Sequence, residues 1–257
     1  MPGGIQMNSV SISRPVSGAT HSVSDQFHAH SFDRRNVGQM NPLLMVDHFF
    51  MKRDTFGWHP HSGISAITYV FEDSRSAHLN QDTMGNNLPI RPGSLHWMVA
   101  GSGVQHREYP EGPEGLVHGL QFFVDLPEKL KIVPPYAVHL EGEDVPEILR
   151  KGARIRVVAG EYDGVRSPAA VPQPFALYDV FLEPGATLDV PLPAEWGGSV
   201  LCVSGSATVI AEAQFDHLAS DQSIGVRAMA QGASITLSAA EAAHLVVLAG
   251  QIVPRFG

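Results

Sequence analysis

Two short runs of metal-binding side chains stand out in this sequence, His59-Pro60-His61 and His106-Arg107-Glu108. In an extended strand, residues i and i+2 point to the same face, so each run can direct two donors at one point. Three imidazoles and a carboxylate suffice to hold a divalent transition ion. Four protein donors on an octahedral ion leave two positions open, an arrangement that suits Fe(II), Mn(II), Ni(II) or Cu(II) and permits catalysis. Two other readings of the same residues stand beside this one. In the first, Glu108 pairs with Arg107 or another surface cation and His106 caps a turn. In the second, the four donors close around a tetrahedral structural zinc, although such sites usually recruit cysteine and Cys202 lies far away in sequence.

Strands and tight turns must position these donors. Pro60 stiffens the first pair, Gly63 opens the strand that follows, and Gly101-Ser102-Gly103 can turn the second pair back beside the first. The chain's 25 glycines and 19 prolines punctuate short apolar runs, a pattern of many strands rather than helices. Strands are expected at 64–71, 95–99, 116–124, 154–159, 177–182, 199–203, 206–211, 234–237 and 244–249. The best helical segments are short, at 127–131 and 145–151. With Pro134-Pro135 they mark a connection between two β-rich halves. Arg91-Pro92-Gly93-Ser94-Leu95 in the first half rhymes with Gln231-Gly232-Ala233-Ser234-Ile235 in the second, as expected of two related barrels or jelly rolls.

The second half has no paired donors. Its isolated His217 and His244 read as structural residues. In the first half His78, His96, His118 and His139 lack a second donor two residues away and read as packing or supporting residues, His96 being the foremost to inspect. The formal charge of -9, with no stripe of Lys and Arg, argues against direct nucleic-acid binding. One cysteine allows no intrachain disulfide, and the first residues lack a basic segment followed by an apolar one, so a cytoplasmic protein is expected. No run of roughly 18 apolar residues is present, so no membrane span is expected.

Several blocks occur in a fixed order: Asn41-Pro42-Leu43-Leu44-Met45-Val46-Asp47-His48-Phe49, His59-Pro60-His61-Ser62-Gly63, Thr68-Tyr69-Val70, Asp82-Thr83-Met84-Gly85-Asn86 and Ile90-Arg91-Pro92-Gly93. Trp97 through Gly103, His106-x-Glu108, His118-Gly119-Leu120-Gln121 and Val157 through Tyr162 follow. Together, over roughly residues 35–165, the chain resembles the pirin family of the cupin superfamily. The resemblance implies an all-β bicupin of two stacked antiparallel barrels of jelly-roll type with few short helices. It implies an N-terminal metal-binding barrel at 1–133 and a degenerate C-terminal barrel without ligands at 134–257.

The matching ligand positions are His59, His61, His106 and Glu108, and the metal implied is usually iron, with Mn, Ni, Cu or Zn as alternatives. Some members of the family resemble quercetin 2,3-dioxygenases. That implies an aromatic flavonol and O₂ as substrates, with Glu108 either staying on the metal or accepting the substrate's hydroxyl proton. Others act as partners of transcription regulators or metabolic enzymes, so a metal- and redox-dependent interaction protein is the competing reading. Phe56, Trp58, Trp97, Met98 and Phe122 are candidate walls for an aromatic ring, at least half of them expected to be core. Ser62, Ile64, Ser65, Asn80 and Arg107 depart from the family pattern, which bears on tuning of the metal. The short stretch between 246–249 and Gly257 implies a shortened closing segment of the second barrel.

Overall fold

Alternating side chains with turn residues between them produce an almost wholly β molecule. The computed structural model describes residues 9–113 and 115–254. Among these the only α-helix is the single turn Glu128–Lys131, entered from Pro127. The other segment expected to be helical is a strand, Glu147–Arg150, paired antiparallel with Ala153–Ala159. Gly152, at φ +77°, makes the hairpin turn, and pairing with the longer strand outweighs a weak local helical preference.

Two barrels lie against each other. In the first, a seven-stranded antiparallel sheet runs in the order Tyr136–Leu140, Leu95–Val99, Ile64–Val70, Val117–Asp125, Leu43–Met51, Phe27–Asp33 and Ala19–Val23. Its partner is a four-stranded sheet of His59–His61, Val104–Pro110, His78–Asp82 and Asn87–Ile90. In the second, Val10–Ile12, Gln222–Ala228, Trp196–Ser204, Ala243–Gln251, Phe175–Leu182, Ala153–Ala159 and Glu147–Arg150 form the large sheet, with Val16–Ser17 also on Gln222–Ala228. Thr187–Leu192, Ala233–Ser238, Ser206–Ala211 and Gln214–Ala219 form the smaller one. Sheet membership does not follow a division at residue 134. Tyr136–Leu140 is an edge strand of the first large sheet, while Val10–Ile12 and Val16–Ser17 belong to the second. The final strand, Ala243–Gln251, is full length and paired on both sides, so the second barrel has its closing strand.

The period-2 rule decides which residues serve which core. From the first large sheet, Ile67, Tyr69, Leu95, Trp97, Leu120 and Phe122 point outward. They meet Val158, Phe175, Leu177, Leu201, Val246 and Leu248 of the second. Trp97 packs edge-on against Phe175, 5.1 Å between centroids, a geometry favoured by the ring quadrupoles. The same seam carries polar groups that are satisfied within it. The Arg156 guanidinium, 2% exposed, donates to Tyr69 Oη at 2.6 Å, and Tyr69 donates to Asp179 Oδ2 at 2.7 Å. His244 completes the set at 2.5 Å from Asp179, which accords with its structural reading.

The two interiors differ. That of the second barrel is filled by Ile155, Val157, Tyr178, Val180, Val200, Val209, Ile224, Ile235, Leu245 and Val247 among others, as a close-packed core should be. That of the first is split into two small apolar groups, one around Phe27, Phe49, Val70 and Ile90, the other around Ala66, Met98 and Val104. The histidine pairs lie on this interior.

Candidate metal centre

Register brings the two runs together. His59–His61 pairs antiparallel with Val104–Pro110, placing His59 directly opposite His106 and His61 opposite Val104. Gly101, at φ +50°, makes the approach to the second strand, where a side chain would meet the Val133 carbonyl oxygen at 2.2 Å. One donor nitrogen from each of His59, His61 and His106 lies within 4.8 Å of the others. His61 Nε2 and His106 Nε2 are 3.1 Å apart. Two ligands at about 2.1 Å from one ion stand about 3.0 Å apart at a right angle and about 3.4 Å apart at the tetrahedral angle. The spacing therefore fits a shared cation.

In His59 and His106 the Nδ1 atoms are held by the protein, which leaves Nε2 of each for the ion. His59 Nδ1 donates to the Gly57 carbonyl oxygen at 3.0 Å, and His106 Nδ1 to Asn80 Oδ1 at 3.3 Å. Burial and the neighbouring His106 and His59 push His61 down to about 4. Burial and His59 push His106 down to about 4 against the opposing pull of Asp82. Both are neutral near pH 7 and can bind a cation without first losing a proton. Asp82 supports the neighbouring strand from its turn, accepting from the backbone amides of Met84 and Asn86 at 2.9 and 3.0 Å.

Glu108 lies two residues beyond His106 on the same face of its strand. Its Oε1 accepts a hydrogen bond from Thr68 Oγ1 at 2.6 Å, and Gln121 Oε1 is also 2.6 Å from that hydroxyl. Thr68 has one proton, so donation to Glu108 implies that Gln121 turns its amide nitrogen toward the threonine oxygen. Arg107 points to the other face of its strand. It donates to Gln81 Oε1 at 2.7 Å, and its guanidinium lies over Trp58 and Tyr109. The pairing of Glu108 with Arg107 is thereby excluded by side-chain alternation.

A cavity of about 190 Å³ adjoins the histidines, and Glu108 and Gln121 reach it. Phe27, Phe49, Phe56 and Phe123 are among its walls. Of the aromatic residues read as candidate walls, only Phe56 belongs to it. Trp97 and Phe122 face the second barrel, Met98 packs with Ala66 and Val104, and Trp58 is 49% exposed. The reason is again parity: Phe123 turns inward, so its neighbour Phe122 turns out. The roles of Thr68 and Gln121 are not visible in the local sequence, because Thr68, Gln121 and Glu108 come from three different strands. Among the other histidines, His118 and His48 sit at the seam with their Nε2 atoms 2.8 Å apart, while His78 and His96 are buried in the first barrel.

A three-imidazole group compatible with a divalent ion, mounted inside the first of two stacked antiparallel barrels, defines a cupin-type protein of two barrels. Residues 10–124 match the Pirin family. A pirin-like protein of Arabidopsis thaliana is 34% identical over 181 residues, which cover 67% of this chain and 57% of that one. Human pirin is 33% identical over 182 residues, 68% of this chain and 62% of that one. The chain belongs to the pirin family, and its matches span about three-fifths of the length of these relatives. A crystal structure from Geobacillus kaustophilus superposes with a TM-score of 0.85 at 27% identity, covering 96% of this chain and 98% of that one. A quercetin 2,3-dioxygenase of Acinetobacter baumannii shares the fold, with a TM-score of 0.82 at 24% identity and coverage of 96% and 90%. So does the bacterial pirin YhhW of Escherichia coli, solved in complex with nickel(II), with a TM-score of 0.70 at 18% identity and coverage of 95% and 100%.

Proposed function

We propose that this pirin is an iron-dependent dioxygenase that opens a flavonol-like aromatic substrate with O₂, using His59, His61, His106 and Glu108 at the metal. The observation that carries the reading is the three-imidazole group beside an aromatic-lined cavity that Glu108 also reaches. Iron, when bound, supplies a Lewis-acid anchor for an enol oxygen and the redox capacity that O₂ chemistry needs. The three imidazoles hold the ion, and Gly57 and Asn80 fix the ring orientations of His59 and His106. Glu108 is the catalytic base that takes the substrate's hydroxyl proton, and the Thr68 hydroxyl on Oε1 fixes the carboxylate's orientation. Phe123, whose ring is 5.1 Å from that of His61, and Phe49 exclude water and present flat apolar surface to the substrate ring. The proposal includes an N-terminal metal-binding unit at 1–133 and a ligand-free C-terminal unit at 134–257, apart from the exchange of Val10–Ile12, Val16–Ser17 and Tyr136–Leu140 between the two barrels, and a cytoplasmic location. The location agrees with a single buried cysteine whose thiol is pushed up to about 12 by burial. No helix among the described residues is long and apolar enough to cross a membrane.

One feature favours a second reading, a metal-dependent interaction protein acting on a transcription regulator or metabolic enzyme. Phe56 and Trp58, 48% and 49% exposed, adjoin His59 in sequence and offer an apolar surface beside the metal. Elemental analysis combined with O₂ uptake on quercetin separates the two. Stoichiometric iron with flavonol-dependent O₂ consumption supports the enzyme. Stoichiometric iron without turnover, together with capture of a regulator by the iron-loaded but not the metal-free protein, supports the interaction reading. Absence of any bound metal in both wild type and His59→Ala sinks the site.

A further inference from the structure

A third pair of donors at i, i+2 spacing, His28-Ala29-His30, lies on the strand Phe27–Asp33. Phe27 and Ala29 belong to the interior of the first barrel, so by alternation His28 and His30 point to the outer face of the sheet, away from the cavity. On that face His30 is directly opposite His48 of the next strand. Asp221 approaches from the second barrel, in the turn between Gln214–Ala219 and Gln222–Ala228. The turn is fixed by the Asp221 amide, which donates to the Cys202 carbonyl at 2.9 Å, and by its carbonyl, which accepts from the Gly18 amide at 3.0 Å.

Two imidazole pairs occur here, and their geometry tells them apart. In His48 and His118 the Nε2 atoms are 2.8 Å apart and the ring centroids 5.0 Å. A ring nitrogen lies about 1.1 Å from its centroid, so these rings meet head-on, as an N–H···N hydrogen bond requires. In His28 and His30 the Nε2 atoms are 3.1 Å apart, the same as in His61 and His106, but the centroids are only 4.8 Å apart and the ring planes cross at 86°. A head-on contact at that nitrogen separation would hold the centroids about 5.3 Å apart. A cation about 2.1 Å from both nitrogens and on the axis of each ring would hold them about 4.8 Å apart. The spacing therefore favours convergence on an ion. In the tautomer that donates from Nδ1 to Ser22 Oγ at 3.1 Å, His28 keeps its Nε2 lone pair free.

The third donor is a carboxylate. Asp221 Oδ2 is 3.6 Å from His30 Nε2, while Oδ1 accepts from His48 Nδ1 at 2.8 Å, which anchors the carboxylate beside the pair. Among the described residues only His59, His61 and His106 have three donors already within 4.8 Å of one another, so here the carboxylate turns about its His48 anchor as the ion binds. The side chains of His30 and Asp221 are 22% and 34% exposed, so an ion enters from solvent without opening either barrel.

We infer that His28 and His30, with Asp221 as the third donor, form a second site for a divalent ion of the Zn(II), Ni(II) or Cu(II) class. Imidazole suits these ions, and water completes their coordination. An ion there ties the strand Phe27–Asp33 of the first barrel to the second, on the opposite face of the sheet from the cavity.

Calorimetric titration of Zn(II) into metal-free protein tests the site. Wild type is expected to bind a second equivalent beyond that of the His59, His61 and His106 group. His28→Ala and His30→Ala should each lose one equivalent, His61→Ala should keep the second, and the His28→Ala, His61→Ala double variant should bind none. Asp221→Asn, which tolerates the φ of +58° at that position, should weaken the second equivalent at least about tenfold. Wild type without an equivalent that depends on His28 and His30 overturns the inference, and undiminished affinity in Asp221→Asn overturns the carboxylate's place in it. One equivalent that His28→Ala abolishes and His61→Ala leaves intact supports this site while sinking the first. If a histidine variant fails to fold, anomalous diffraction from Zn(II)-soaked wild-type crystals decides: a peak bonded to both Nε2 atoms supports the site, and its absence overturns it.

Discussion

Acid destabilisation of the metal-free protein follows directly from the interior of the first barrel. His96 is 2% exposed, sits between Thr68 and His139 of the neighbouring strands, and has no hydrogen-bond partner on either nitrogen. Burial, then the neighbouring His139, lowers it from 6.5 to about 4, with Asp82 pulling the other way. In the unfolded chain the same imidazole takes up its proton at 6.5, so between 6.5 and about 4 the unfolded state binds more protons. Stability is full above pH 6.5 and falls as the pH drops through that window, by about 1.4 kcal/mol per pH unit for one proton. Over the window His96 alone contributes ~3 kcal/mol, a large part of the 5–15 kcal/mol that typically holds a domain together. Urea unfolding followed by tryptophan fluorescence at steps from pH 7 to pH 4 measures the slope. His96→Leu removes one titrating group, so its slope should be shallower than wild type by about 1.4 kcal/mol per pH unit. Equal slopes for the two proteins would show that His96 is protonated in the folded state, and the reasoning from burial would fail.

Further outcomes follow from the same geometry. His61→Ala and His106→Ala each remove a convergent imidazole and should lower metal affinity at least about 100-fold by equilibrium dialysis. Arg107→Ala, between the donors in sequence but on the outer face, should keep wild-type metal content. Arg156→Met removes the buried cation that donates to Tyr69 and to the Gly142 carbonyl, and should cost about 3–5 kcal/mol in chemical denaturation. In Gly225→Ala the added Cβ would lie 1.6 Å from the Gly38 carbonyl oxygen, so a loss above about 4 kcal/mol, or failure to fold, is expected. Full stability in that variant would mean that the two segments do not approach as described.

Local pattern made much of this legible. Leu95–Val99 and Ser206–Ala211 fall where alternation and turn residues placed strands, and His59, His61 and His106 were found by spacing alone. The segment expected to be helical at 145–151 contains the strand Glu147–Arg150, because a short charged segment carries little periodicity and takes its conformation from the neighbour with which it pairs. Trp97, Met98 and Phe122 are core, in keeping with the expectation that at least half of the five candidates would be, but composition does not reveal which of the five faces the cavity, because that depends on which parity class faces the second barrel. The same ambiguity hid Asp47 and Gln121, which belong to the cavity only through cross-strand register.

What the sequence determined by itself was therefore the three-histidine group, the β character and the family, since each depends on spacing over a few residues or on ordered local blocks. Only the tertiary structure decided which barrel is filled and which is hollow, and that the Glu108 carboxylate accepts a hydrogen bond from Thr68. It also decided that a polar row leads from Thr68 to Asp47. Those facts depend on which strands become neighbours, a choice made by burial of one face of each sheet against residues distant in sequence.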